Sequence, residues 1–236
     1  MNQLEDYNTR EVRIEDPAKE VSLMRNVYLW MTLALAITAA TAYLTISSET
    51  LFHLVYGNGI LMIVLIVLEL GLVIGLSAAI NRMSMTVATT MFILYSFVNG
   101  LTLSSIFLTY EIGSIFAVFM VSAGMFGVMV FVGMFTKKDL SAWGKFGLMA
   151  LIGMILAMVV NLFLHSEAMD YIVSAIGVLV FSGLTAYDSQ KIKAMLDSAD
   201  PADESTMKLA LMGSLTLYLD FINLFLDLLR IFGKRK

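Results

Sequence analysis

Cysteine is absent from this 236-residue chain, and proline and histidine occur only twice each. No disulfide, Cys-ligated zinc site or thiol nucleophile is therefore available. His53 and His165 lie far apart in sequence, each near the end of an apolar segment, which argues against a histidine-based metal site. Charge is scarce too: Asp, Glu, Lys and Arg make up 14% of the residues, against about 25% in an ordinary soluble domain. A formal net charge of −4 with no basic patch among the loops excludes nucleic acid as an expected partner. There is no His-Glu zinc helix, no nucleophile elbow and no phosphate loop, so an enzyme is not expected.

Apolar side chains take up the composition instead, at 59% of residues against about 45–50% in soluble proteins. They fall into seven runs, at roughly 26–47, 60–80, 86–108, 112–135, 145–165, 170–190 and 208–232. Each is near the ~20 residues that a helix needs to cross a bilayer. The expected fold is an all-α integral membrane protein, a seven-helix bundle over residues 26–236 behind a polar tail at 1–25. That tail has no short apolar core of the kind a cleavable signal requires, so the first membrane segment is expected to direct insertion. The connections are short and leave no room for a folded domain outside the membrane. The longest is Asp197 to Lys208, which is acidic.

Loop charges predict the orientation. With the N-terminus in the cytoplasm, Arg10, Arg13, Lys19, Arg25, Arg82, Lys137, Lys138, Lys145, Lys191, Lys193 and Lys208 all fall inside, and the three opposite loops hold no Lys or Arg. Arg230, Lys234, Arg235 and Lys236 disagree, because seven full crossings place them outside. Either the last helix spans against the charge rule or it re-enters and returns its basic end to the cytoplasm.

That last segment, Leu211 to Gly233, organises the rest. At 100° per residue, Gly213, Thr216, Asp220, Asn223 and Asp227 repeat at 3-4-3-4 spacing and form one stripe on an otherwise apolar helix. Such a stripe must be hidden from lipid, which puts the helix at the centre of a bundle with its acids facing a polar cavity. Other ionisable groups inside the apolar runs are Glu69 in the second segment, Arg82 at its end and Asp188 near the end of the sixth. Asp227 is near enough to Arg230 to pair with it. Asn99, Thr102, Ser104, Ser105 and Asn161 are read as polar contacts between helices, and Gly124, Gly127, Gly133, Gly147 and Gly153 as points of close helix approach.

The runs GLTAYDSQKIK (Gly183 to Lys193) and LTLYLDFINLFLDLLRIFG (Leu215 to Gly233) resemble the two C-terminal signatures of the Bax-inhibitor family. TKKDLS (Thr136 to Ser141) and VNGLTLSSIF (Val98 to Phe107) resemble stretches of its bacterial members. The resemblance implies six helices around a central seventh and a pH-sensitive calcium leak, with suppression of cell death in animal relatives. It implies that Asp188 and Asp220 form a pH-sensing pair and that Arg82 helps latch it. Glu69 matches an acid of the second helix. Two departures from the family pattern stand out: a longer Asp197–Lys208 linker, and Asp227 where a neutral residue is expected.

Two carboxylates held close cannot both ionise cheaply, so Asp188 and Asp220 are expected to share a proton and hold the sixth and seventh helices together. Their hard oxygens suit Ca²⁺, as a permeant or bound ion, and Glu69, Asn223 and Asp227 are candidates for lining its path. No cofactor is expected beyond Ca²⁺, and the bilayer is the first partner. Two other classes fit the same residues: a proton-coupled transporter, and a non-conducting regulator that binds another membrane protein such as a membrane-bound protease. The expected location is a bacterial cytoplasmic membrane.

Overall fold

The computed structural model describes residues 17–57, 59–197, 199 and 203–236, with side chains from residue 23 onward. Most of the expected polar tail lies outside the described residues, and from Pro17 the chain is already helical. The helices are α1 (Pro17–Ser47), α2 (Glu49–Tyr56), α3 (Gly59–Ala79), α4 (Met85–Leu103), α5 (Ile106–Thr109), α6 (Ile112–Phe135), α7 (Ser141–Leu164), α8 (Glu167–Asp197) and α9 (Glu204–Phe232). A single 3-10 turn, Ile80–Arg82, closes α3.

Among the described residues, seven stretches are long and apolar enough to cross a membrane: Leu23–Ser47, Gly59–Arg82, Met85–Thr109, Ile112–Phe135, Ser141–Leu164, Glu167–Asp197 and Glu204–Phe232. Their outward faces are apolar, with Met149 73% and Phe163 81% exposed, a surface that lipid rather than water satisfies. This is an all-α membrane fold, as the composition predicts.

Two local features depart from the seven apolar runs. The connection between the first and second segments is not a loop but α2, a short helix capped by Ser48, whose Oγ accepts the Leu51 N–H at 3.4 Å. The third segment is interrupted between α4 and α5. There Thr102, Ser104 and Ser105 donate their hydroxyls to the carbonyls of Asn99, Leu101 and Thr102 at 3.0, 2.6 and 3.0 Å, an alternative to the helical ladder.

Among the seven, α9 is the most enclosed, with 67% of its span buried where no other exceeds 44%. It packs against α1, α4, α6 and α8. At its start Glu204 Oε1 accepts the Met85 N–H at 2.9 Å, beside the beginning of α4. At its end the Glu111 N–H donates to the Lys234 carbonyl at 2.9 Å and the Lys236 N–H to the Thr109 carbonyl at 3.0 Å, beside the end of α5. The helix, about 43 Å long at 1.5 Å per residue, thus runs the full length of the third segment. It is one continuous helix, long enough to span, with no re-entrant turn.

The basic C-terminus that disagrees with the charge rule has local partners on that face. Lys234 Nζ is 2.9 Å from Glu111 Oε1, Arg235 Nη1 is 3.8 Å from Glu167 Oε1, and Lys236 Nζ donates to the Phe107 carbonyl at 2.7 Å.

Close helix contacts use only some of the glycines read for that role. A Cβ on Gly133 would strike the backbone of Ala186, and one on Gly147 the side chain of Leu184, so both hold α8 tightly. Gly124, Gly127 and Gly153 face open space, which corrects their assignment as contact points. Asn161 ties the turn between α7 and α8, donating to the Ser166 carbonyl at 3.2 Å and to Asp170 Oδ1 at 2.6 Å.

Candidate functional site

The polar stripe of α9 faces α7 and α8 across a cavity of about 550 Å³. Thr216, Asp220, Asn223, Asp227 and Arg230 line it from α9, and Asp188 with Tyr187 from α8. Between Leu148 and Met158, α7 contributes an apolar wall. From Thr216 to Arg230 the α9 side extends about 21 Å, most of the depth of a hydrocarbon core. A stripe of period 3.5 stays on one face for that distance, which is why five residues spread over fifteen positions meet a single space.

Asp188 and Asp220 come together at one end. They face one another closely enough to interact as a pair, Asp220 is only 6% exposed, and its Oδ2 takes no hydrogen bond from any described residue. Asp188 is half-buried, with Lys191 one turn further along α8. Gly213 allows this approach: a Cβ there would sit 3.0 Å from Ile192 of α8.

At the other end Asp227, 3% exposed, pairs with Arg230 at 3.3 Å, the bond expected from their i, i+3 spacing. The Arg230 side chain is 41% exposed and also lines a second space, of about 900 Å³, at the rim near His165, Asp170 and Arg235. Asn223 donates to the Leu219 carbonyl at 2.8 Å, which leaves its amide oxygen on the cavity side of its helix.

Glu69 and Arg82 are not part of this cavity. Glu69 shares the Thr102 hydroxyl with the Asn99 carbonyl, accepting it at 2.9 Å where α3 meets α4. Arg82 is exposed on its 3-10 turn, and no salt bridge among the described residues joins it to Asp188 or Asp220. Also among the described residues, no group of three or more His, Cys, Asp or Glu is gathered as a resident metal would require.

Sequence reasoning missed a buried node on the opposite side of α9. The Tyr218 hydroxyl donates to Asn99 Oδ1 at 3.1 Å and lies 2.7 Å from Thr38 Oγ1, which donates to the Ser96 carbonyl at 2.9 Å. Tyr218 is fully buried, edge-on to Phe92 and Tyr95. It links α1, α4 and α9 in one polar chain. A tyrosine inside an apolar run looks like packing, and only its helical phase, opposite the acidic stripe, hints at a second polar face.

Comparison with known proteins fits this architecture. The family model described as "Inhibitor of apoptosis-promoting Bax1" matches residues 20–236. The chain belongs to the Bax-inhibitor family. Among its relatives, the "Inner membrane protein YbhL" of Escherichia coli K12 is 51% identical over 214 residues, covering 90% of this chain and 92% of that protein. Uncharacterized proteins of Deinococcus radiodurans and Borreliella burgdorferi are 42% and 40% identical, the first covering 91% of both chains, the second 92% of this chain and 96% of its own. The Bax-inhibitor match extends through both aspartates, Arg82 and Glu69. This is an integral membrane protein of that family.

Proposed function

We propose that this Bax-inhibitor protein is a pH-sensitive leak path for Ca²⁺ across a bacterial cytoplasmic membrane, with its lysine-rich face in the cytoplasm. The observation that supports it best is the buried Asp188–Asp220 pair at one end of a cavity whose α9 wall is polar for about 21 Å. Two carboxyls in that position hold one proton between them and draw α8 and α9 together; without it they repel. The protonation state of the pair therefore sets how tightly that end of the path is closed.

Beyond the pair, Thr216, Asn223 and Asp227 offer oxygen donors along one wall, the ligand type that Ca²⁺ prefers. The cation is cargo in this reading, exchanging some of its hydration for these oxygens in passing. Arg230, bonded to Asp227, occupies that carboxylate at the far mouth and withholds it from a passing cation until the bond loosens. Arg82 enters as a latch only if its turn moves toward the pair.

The test is Ca²⁺ uptake into liposomes containing the purified protein, scanned from about pH 5 to 8, with Asp188→Asn and Asp220→Asn in parallel. Flux that titrates in the parent and is flat with pH in both variants supports the gate. An unchanged pH profile in Asp220→Asn overturns it. No flux above protein-free liposomes at any pH favours a non-conducting regulator, and saturable uptake that needs a proton gradient favours a transporter.

A further inference from the structure

A third space, of about 510 Å³, opens on the lysine-bearing face between the 136–140 loop and the end of α8. Lys137, Lys138, Ser141, Tyr187, Gln190 and Lys191 line it. The loop is held in shape by Gln190, which donates to the Lys138 carbonyl at 2.9 Å and accepts the Leu140 N–H at 3.0 Å. All three lysines are exposed, and no salt bridge among the described residues engages any of them. Lys191 lies over the Tyr187 ring at 5.8 Å.

One acid shares the space. Asp139 is turned to its own backbone, its Oδ1 accepting the Ser141 N–H at 2.8 Å, with Lys145 one turn into α7 partly offsetting its charge. The groove keeps a positive excess, at the start of a long helix whose first N–H groups add to it.

Its depth is marked by aromatics. Trp143, 50% exposed, stacks edge-on to Phe146 at 6.0 Å, and Phe135 is 65% exposed. Exposed Trp at a helix end belongs at the membrane–water boundary, and the exposed phenylalanines, Phe146 against it and Phe135 immediately before the loop, belong among acyl chains. The lysines are therefore level with lipid headgroups, and an apolar flank lies beside them. A nucleic acid or a soluble acidic peptide has no use for that flank.

We infer that this groove is a binding site for an anionic phospholipid, whose phosphate is held by Lys137, Lys138 and Lys191 and whose chains lie against Phe135, Trp143 and Phe146. The assignment does not depend on ion conduction. It does put a lipid headgroup next to Tyr187 and Lys191, one turn or less from Asp188.

The chain has two tryptophans, so Trp30→Phe leaves Trp143 as the one tryptophan, excited selectively over the tyrosines, at the site itself. The full-length protein is placed in vesicles carrying a rising fraction of brominated phosphatidylglycerol or, separately, brominated phosphatidylcholine. A lysine at the surface is worth about fivefold in affinity for anionic lipid, so half-quenching is expected at an approximately fivefold or more lower fraction of phosphatidylglycerol. Lys137→Gln, Lys138→Gln and Lys191→Gln together should bring the two lipids to parity, whereas the three Lys→Arg changes keep the preference and Lys208→Gln leaves it untouched. Equal quenching by both lipids in the parent, or a preference that survives the glutamines, overturns the site. So does abolition of the preference by inorganic phosphate at matched ionic strength, because the ligand is then a free phosphate.

Discussion

The carboxyl of Asp227 rests on the bare backbone of Gly177: a Cβ on that glycine would overlap Asp227 Oδ2. The carboxyl is thus held between α8 and Arg230, whose Nη1 is 3.3 Å from Oδ1. Gly177→Ala forces the carboxyl out of this position and should lower stability by about 1–3 kcal/mol, the usual range for overpacking. Thermal unfolding of the detergent-purified protein measures it. Adding Asp227→Ala to Gly177→Ala should recover most of the loss, because the two changes share one contact. Additive losses would show that the overlap is relieved elsewhere.

Tyr218→Phe keeps the ring packing and removes the hydroxyl that joins Thr38 to Asn99. Hydrogen bonds between membrane helices are worth about 0.6 kcal/mol on average and up to about 1.7, so a loss in that range is expected. Thr38→Val should cost little more once Tyr218 is phenylalanine. Unfolding of the two single variants and the double variant gives the coupling directly.

Removal of residues 234–236 takes away the carbonyl that the Glu111 N–H uses and the amide that caps Thr109. Hydrogen exchange read by mass spectrometry should speed up in peptides covering 107–115 and stay unchanged in those covering 136–140, on the other face. Uniform acceleration would point to general unfolding instead.

Asp203 caps α9, accepting the Ser205 hydroxyl at 2.5 Å and the Ser205 N–H at 3.2 Å. These bonds favour the carboxylate and hold its pKa below the ordinary value, the hydroxyl bond first. A lowered folded-state pKa adds stability that is complete above the unfolded value, about 3.9, and is lost as pH falls through the folded one. The melting-temperature gap between the parent and Asp203→Ala should be constant above about pH 5 and close as pH drops below about 3. A gap that persists in acid would assign the effect to packing.

The seven spans were legible because a bilayer demands about 20 apolar residues in a row and little else does so. The α9 stripe was legible for a related reason: acids are so rare in these runs that their helical phase stands out. What stayed hidden depends on neighbours. Counting cations at the C-terminus could not show that Glu111 and Glu167 meet Lys234 and Arg235. Neither α2 nor the break after Leu103 shows in hydropathy, because both are set by single Ser and Thr hydroxyls. Arg82 and Asp188 both lie near the end of a span, but sequence position alone does not say that the arginine stands exposed on its turn with no salt bridge to either aspartate among the described residues. Gly177 was missed for the same reason: its meaning comes from a residue fifty positions later.

α9 is fastened at both rims, by Glu204 to the start of α4 and by its C-terminal residues to the end of α5. A piston stroke along its own axis would have to break both fastenings at once. α7, by contrast, has only 17% of its span buried and leans mainly on α8. The cavity therefore has a fixed mast on one side and a hinged shutter on the other, and widening it by swinging α7 outward disturbs the fewest bonds.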